Sequence, residues 1–99
     1  MWYSISCEDE PLSLEKRLAI RPSHIARLIE LKNQGRLFVA GPHPAIDNET
    51  PGELGFTGSL IIAEFDSLAL AKSWAAEDPY TREGIYSKVT VKPFKKVLP

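Results

Sequence analysis

The segment "SLIIAEF", residues 59–65, constrains the fold more than any other stretch of the chain. It has the length and composition of a strand, and it is apolar on both sides: Leu60 and Ile62 alternate with Ile61, Ala63 and Phe65. "RLFVAGPH", residues 36–43, behaves the same way, with Leu37 and Val39 on one side and Phe38 and Ala40 on the other. A sheet that is apolar on both faces needs cover on both faces. What the rest of the chain can supply as cover therefore decides the architecture.

The other segments supply two strands and two helical regions. "WYSISCE" (2–8) is aromatic and β-leaning, ends at "DEP", and reads as the first strand. "LSLEKRLAI" (12–20) has helix-forming composition, but the residue before a proline avoids the α region, so Arg21 marks a boundary. Pro22 suits the first position of a fresh helix running to about Gln34, with Gly35 closing it. "DSLALAKSWAAED" (66–78) reads as a second helix, N-capped by Asp66 or Ser67 and stopped by Asp78-Pro79. Its Leu70, Ala71, Trp74 and Ala75 share one face. "IYSKVTVKPFKKV" (85–97) reads as the fourth strand with a basic tail.

The order β-α-β-β-α-β, with right-handed crossovers, predicts a ferredoxin-like α+β sandwich: one antiparallel sheet with both helices on one face, a single domain over residues 1–99. Two helices cover only one face. The second apolar face predicts a second copy of the chain, a homodimer packed through its sheets. The plainer alternative is a semi-exposed sheet with scattered apolar residues.

The bulk properties exclude several classes. A net charge of −1 offers no electrostatic footprint for nucleic acid or an anionic membrane, so neither partner is expected. Cys7 is the single cysteine, so it forms no internal disulfide and no thiolate metal site alone. No signal peptide is evident and no run approaches 18 apolar residues, so a soluble cytoplasmic domain is the default expectation.

Chemistry centres on "RPSHIARLIELKNQG", residues 21–35. On a wheel, His24 falls inside the arc of Leu31, Leu28, Ile25 and Ile29, near its edge, while Arg27, Glu30, Asn33 and Gln34 lie opposite. In the first turn of a helix the macrodipole disfavours imidazolium, and a neutral imidazole is what general acid–base chemistry needs. A satisfied structural histidine fits the same pattern. Glu77 and Asp78 sit at a helix C-terminus, where the macrodipole repels carboxylates. A broken local rule of that kind points to function, although an Asp-Pro turn explains Asp78 as well. Both helices run the same way through this sandwich, so meeting His24 would take a bend, the loop 78–84, or a second chain. Lys16, Arg17, Arg21 and Arg27 form a basic group suited to an anionic ligand, or a solvated face paired with Glu15 and Glu30.

The loop "PAIDNETPGELGFTG" (44–58) is longer than its connection needs, which suggests a functional segment. Its Asp47, Glu49 and Glu53, with His43, match no metal-ligand spacing, and no phosphate cradle or nucleophile motif appears. Neither a metal nor a cofactor is expected.

Taken together, "LEKRLAIRPSHIARLIELKNQGRLFVAGPHPAID", "GFTGSLIIAEFDSLALAKSWAAEDPY" and "GIYSKVTVKPFKKV" resemble the YciI-like (YCII-related) proteins of bacteria over nearly the whole chain. The resemblance implies a ferredoxin-like fold, assembly as a dimeric α+β barrel, and a histidine–aspartate site. The family's histidine falls on His24 and the aspartate of its Asp-Pro-Tyr motif on Asp78. Relatives include muconolactone-isomerase-like barrels and a class that removes chloride from a chlorinated hydroxyquinone. The function implied is a cofactor-independent lyase, isomerase or dehydrohalogenase, with Asp78 orienting His24 as general acid/base on a small anionic or enolic molecule. The other reading is a binding or interaction module that uses the same cleft without turnover. The expected ligand-binding set is Arg17, Arg21, Gly41, Pro42, Ser59 and Tyr80. Gly41 would admit close backbone approach, and loop 44–57 would close over the site.

Overall fold

The computed structural model describes residues 1–99. Strand β1 spans Trp2–Asp9, helix α1 Leu14–Asn33, strand β2 Leu37–Pro44 and strand β3 Phe56–Glu64. Helices α2 (Leu68–Ala76) and α3 (Pro79–Arg82) precede strand β4 (Tyr86–Phe94), and a 3₁₀ turn covers Gly52–Leu54. All strand pairs are antiparallel, in the order β2-β3-β1-β4. This is the ferredoxin-like α+β sandwich expected from the element order.

Alternation along β1 turns Tyr3, Ile5 and Cys7 toward the helices, where they meet Ile61 and Ala63 of β3 and Leu28 and Leu31 of α1. Ala71 and Ala75 of α2 complete the core, Trp74 lies at its margin, and Leu70 is exposed, so the α2 face is narrower than the wheel suggests. Ser67, not Asp66, caps α2: its hydroxyl accepts from the Leu70 amide at 3.1 Å. At Gly58 the two central strands leave no room for a side chain. A Cβ there would lie 2.0 Å from the Cys7 carbonyl oxygen, so only glycine lets β1 and β3 pair at this point.

Three expectations are corrected. First, Pro22 does not open a helix; it lies inside α1, which is continuous over 20 residues. Interior proline removes one hydrogen bond, that to the carbonyl of Leu18, and costs roughly 3 kcal/mol. Pro22 and Leu18 are both exposed, so water can satisfy the freed carbonyl, while the opposite stripe buries Arg17, His24, Leu28 and Leu31. Ile29, placed on the apolar arc, is exposed.

Second, β2 does not alternate simply. A register shift between Leu37 and Val39 pairs Leu37 with Ala63 and Ala40 with Ile61 on the helix face. Val39 pairs with Ile62, and Phe38 stacks edge-on against Trp2 at 5.6 Å, both on the open face. Third, β3 begins at Phe56, so the long loop is shorter than expected. Its base is pinned by an Ala45 amide to Gly55 carbonyl bond of 2.9 Å, with Pro51 buried.

The face away from the helices carries Trp2, Phe38, Val39, Leu60 and Ile62; no helix packs on it, Lys96 of the C-terminal tail stands over the Phe38 ring at 4.7 Å, and Ile62 is buried among its neighbours. Phe38 and Val39 are exposed. No helix is long and apolar enough to cross a membrane.

Candidate active site

Because α1 is continuous, His24 lies near its middle, not in a first turn, and the expected effect of a helix N-terminus on its charge does not apply. Position 24 sits two turns after Arg17 and one before Leu28, on the buried stripe. The side chain of Asp78 reaches it within the same chain. Asp78 follows α2 and N-caps α3, its Oδ1 accepting from the Tyr80 amide at 2.9 Å. The broken rule inferred at Asp78 therefore dissolves: the carboxylate stands at the start of a helix, where the dipole favours it. The short helix within 78–84, not a bend or a second chain, brings the two residues together.

His24 Nδ1 lies 2.9 Å and 3.0 Å from the two Asp78 carboxylate oxygens. His24 is 5 % and Asp78 1 % exposed. A carboxylate only accepts, so Nδ1 carries a proton, and in the neutral form of the ring the lone pair is on Nε2. The ring is fixed further by stacking on Tyr80, 4.0 Å between centroids and 11° between planes, and by the edge of Tyr86 at 6.5 Å.

His24 opens onto a cavity of about 140 Å³ between α1, β2, β3 and α3. Arg17, Arg21, Gly41, Pro42, Ser59 and Tyr80 line it with His24; Asp78 stands behind the imidazole. Leu28 and Ile61 add apolar wall that the sequence reading did not nominate. A dry cavity of roughly 150 Å³ holds one benzene-sized ring, so this one suits a molecule of that size. No residue of 44–57 lines it, so the expected lid does not meet the site in this structure.

The residues around the cavity do different work. Arg17 is buried and already engaged: its Nε donates to Asp9 Oδ2 at 2.9 Å, and Nη2 donates to the Gly58 carbonyl at 3.1 Å and to Ser59 Oγ. Its charge is balanced by Asp9, a partner the sequence reading missed. Arg21 is exposed, lies on the cavity wall, and has no carboxylate within 4.0 Å, so it is the cation left for a ligand. Ser59 accepts from Arg17 and retains its own proton to donate.

Tyr80 donates its hydroxyl to the Arg17 carbonyl at 3.1 Å. Burial raises its ionisation above the usual phenol range, partly opposed by Arg17. It is a stacking platform, not an acid. Gly41 pairs with Leu60, on the open face, so its missing Cβ does not widen the cavity; only its backbone borders the site. Tyr86 is likewise held protonated by burial, and burial pushes the Cys7 thiol up to about 12, which leaves it without nucleophilic thiolate. His43 and the loop carboxylates do not converge, and no three His, Cys, Asp or Glu side chains come together to hold a metal.

Arg27, assigned to the solvent side by the wheel, is half-buried instead. Its guanidinium lies 4.3 Å from the Trp74 ring centroid, and its Nη1 is 3.7 Å from Asp78 Oδ2. The i, i+3 spacing from His24 was the available signal.

These features define the class: a ferredoxin-like α+β domain with a buried imidazole–carboxylate pair at the wall of a small cavity. The chain belongs to the YCII-related family, whose domain model matches residues 1–95. A protein of Haemophilus influenzae is 58% identical over 98 residues, 99% of this chain and 100% of that one. The protein YciI of Escherichia coli is 57% identical over the same length and the same shares. Among solved structures, 5-chloro-2-hydroxyhydroquinone dehydrochlorinase of Burkholderia phenoliruptrix, in complex with 2,5-dihydroxybenzoquinone, superposes with a TM-score of 0.85. It is 30% identical, over 96% of this chain and 94% of that one.

Proposed function

We propose that the chain is a cofactor-independent enzyme in which His24 moves a proton on a small anionic or enolic molecule, in a lyase, isomerase or dehydrohalogenase type of reaction. The observation that carries this reading is the buried contact of Nδ1 with both Asp78 oxygens, which leaves Nε2 as a base at the cavity wall. Asp78 orients the ring and stabilises the imidazolium that forms. The substrate proton passes to Nε2, and the electron pair left behind spreads into an enolate or expels a leaving group such as chloride. Arg21 holds the substrate's negative charge, and Ser59 donates to its oxygen. The likeness to a dehydrochlorinase supports this reaction type, and the cavity's size supports a single-ring substrate.

The test incubates the protein in D₂O with enolisable acids and with chlorinated hydroxyhydroquinones, and follows deuterium incorporation and chloride release. Turnover of one of these by the wild type and its loss in His24→Ala is the expected result. Binding without exchange or release points to the ligand-binding module instead.

The open sheet face belongs to the same proposal. Trp2, Val39, Leu60 and Ile62 are the surface on which a second copy would pack to form a dimeric barrel. Sedimentation analysis of Val39→Lys is expected to show monomer where the wild type sediments as a dimer. A wild type that sediments as a monomer at micromolar concentration would rule the dimer out.

A further inference from the structure

We propose that Arg27 is a positioning residue for the His24–Asp78 pair: its guanidinium balances the Asp78 charge, so that His24 stays neutral and keeps a free lone pair on Nε2. The inference rests on the reading of His24 as the base.

The geometry is specific. Arg27 follows His24 by three residues on α1 and reaches Asp78 from behind, since it lines no part of the His24 cavity. Its Nη1 stands 3.7 Å from Asp78 Oδ2, too far for a hydrogen bond and close enough for strong Coulomb attraction at a buried site. That nitrogen is buried and has no hydrogen-bond partner, and Asp78 is the one carboxylate within 4.0 Å of Arg27. The guanidinium is held there by the Trp74 ring, itself packed against Phe65 at 5.7 Å.

A buried carboxylate beside a neutral imidazole leaves an unbalanced negative charge, which is costly away from water. Two things can balance it: a proton on His24, or a nearby cation. The first turns Nε2 from an acceptor into a donor and removes the base. The second leaves the base intact. The other groups facing the pair do not supply that cation. Arg17 on α1 is neutralised by Asp9, and Arg21 on α1 lies on the cavity wall. Tyr80 on α3, Tyr86 on β4 and Cys7 on β1 are kept in their uncharged forms by burial.

The experiment follows the His24 ring protons by NMR across pH in the wild type, Arg27→Met, Arg27→Lys and Asp78→Asn. Removing a positive charge from Asp78 leaves more negative potential on the imidazole, so the Arg27→Met midpoint rises, by about one pH unit. Arg27→Lys keeps the charge and restores most of the difference. Asp78→Asn removes the negative charge, so its midpoint falls. A merely structural Arg27 would not give shifts of opposite sign with rescue by lysine. Methionine retains the apolar stem on Trp74, and Arg27→Gln gives the same comparison should the methionine variant unfold. If Arg27→Met leaves the midpoint unchanged while Asp78→Asn lowers it, the Arg27 role is overturned and the pair stands. If neither moves it, the reading of the pair falls as well.

Discussion

Replacing Arg17 with methionine is expected to lower the unfolding free energy by about 3–5 kcal/mol, the usual cost of removing one partner of a buried ion pair. Arg17 is 6 % exposed, and its Nε holds Asp9, whose side chain is almost wholly buried. Its Nη2 ties α1 to β3 through the Gly58 carbonyl and Ser59. Deleting it leaves the buried Asp9 carboxylate without a countercharge, held only by the Ser13 hydroxyl at 3.4 Å, and takes a donor from the Gly58 carbonyl. Domains of this size have only roughly 5–15 kcal/mol in total, so the variant stands near its unfolding transition in mild urea. The double variant Arg17→Met with Asp9→Leu removes both charges and is expected to recover most of the loss. Urea melts of the two variants check this. A single-variant loss below about 1 kcal/mol would mean the pair behaves like a surface salt bridge. The sequence reading treated Arg17 as a ligand cation; here its main work is to join helix and sheet.

The second large effect falls on chemistry. In His24→Ala the rate of any proton exchange or elimination that the protein catalyses is expected to fall by about 10²–10⁴, the usual contribution of a positioned acid–base group. Alanine also removes the stacking on Tyr80 and leaves Asp78 without its main partner, so part of its effect is structural. His24→Gln separates the two causes. Its amide can still donate to Asp78, and it carries no group able to take up a proton near neutral pH. The glutamine variant is therefore expected to melt close to the wild type and to be as inactive as alanine. A glutamine variant that retains activity would place the base elsewhere.

Much of the fold is legible in the sequence because it is written in local alternation. β1 alternates cleanly, β3 is a short apolar run of strand length, and the spacing of Gly and Pro separates them from the helical stretches, so the β-α-β-β-α-β order follows. What is missed is set by tertiary packing. Pro22 is read as a helix start because propensity is local, while the 20-residue helix survives on the burial of Arg17, His24, Leu28 and Leu31. The bulge in β2 puts Phe38 and Val39 on one face, which no period-2 pattern can show. The partners of the buried charges, Asp9 for Arg17 and Arg27 for Asp78, carry no motif at all. Spacing suggests that Arg27 neighbours His24, but only the docking of α3 puts Asp78 between them. The pairing of His24 with Asp78 follows from the family resemblance; helix direction alone does not give it, because a helix that starts at Pro22 leaves out the first two turns of α1 and puts His24 at its end.

The proposed chemistry requires the imidazole proton on Nδ1 and a lone pair on Nε2 that faces the cavity. Long-range ¹H–¹⁵N correlation spectra of the neutral His24 ring measure this directly. The structure leads us to expect a protonated, pyrrole-like Nδ1 and an unprotonated, pyridine-like Nε2 in the wild type, with that preference lost in Asp78→Asn. A proton on Nε2, or the averaged pattern of a free histidine that ignores Asp78→Asn, would contradict it.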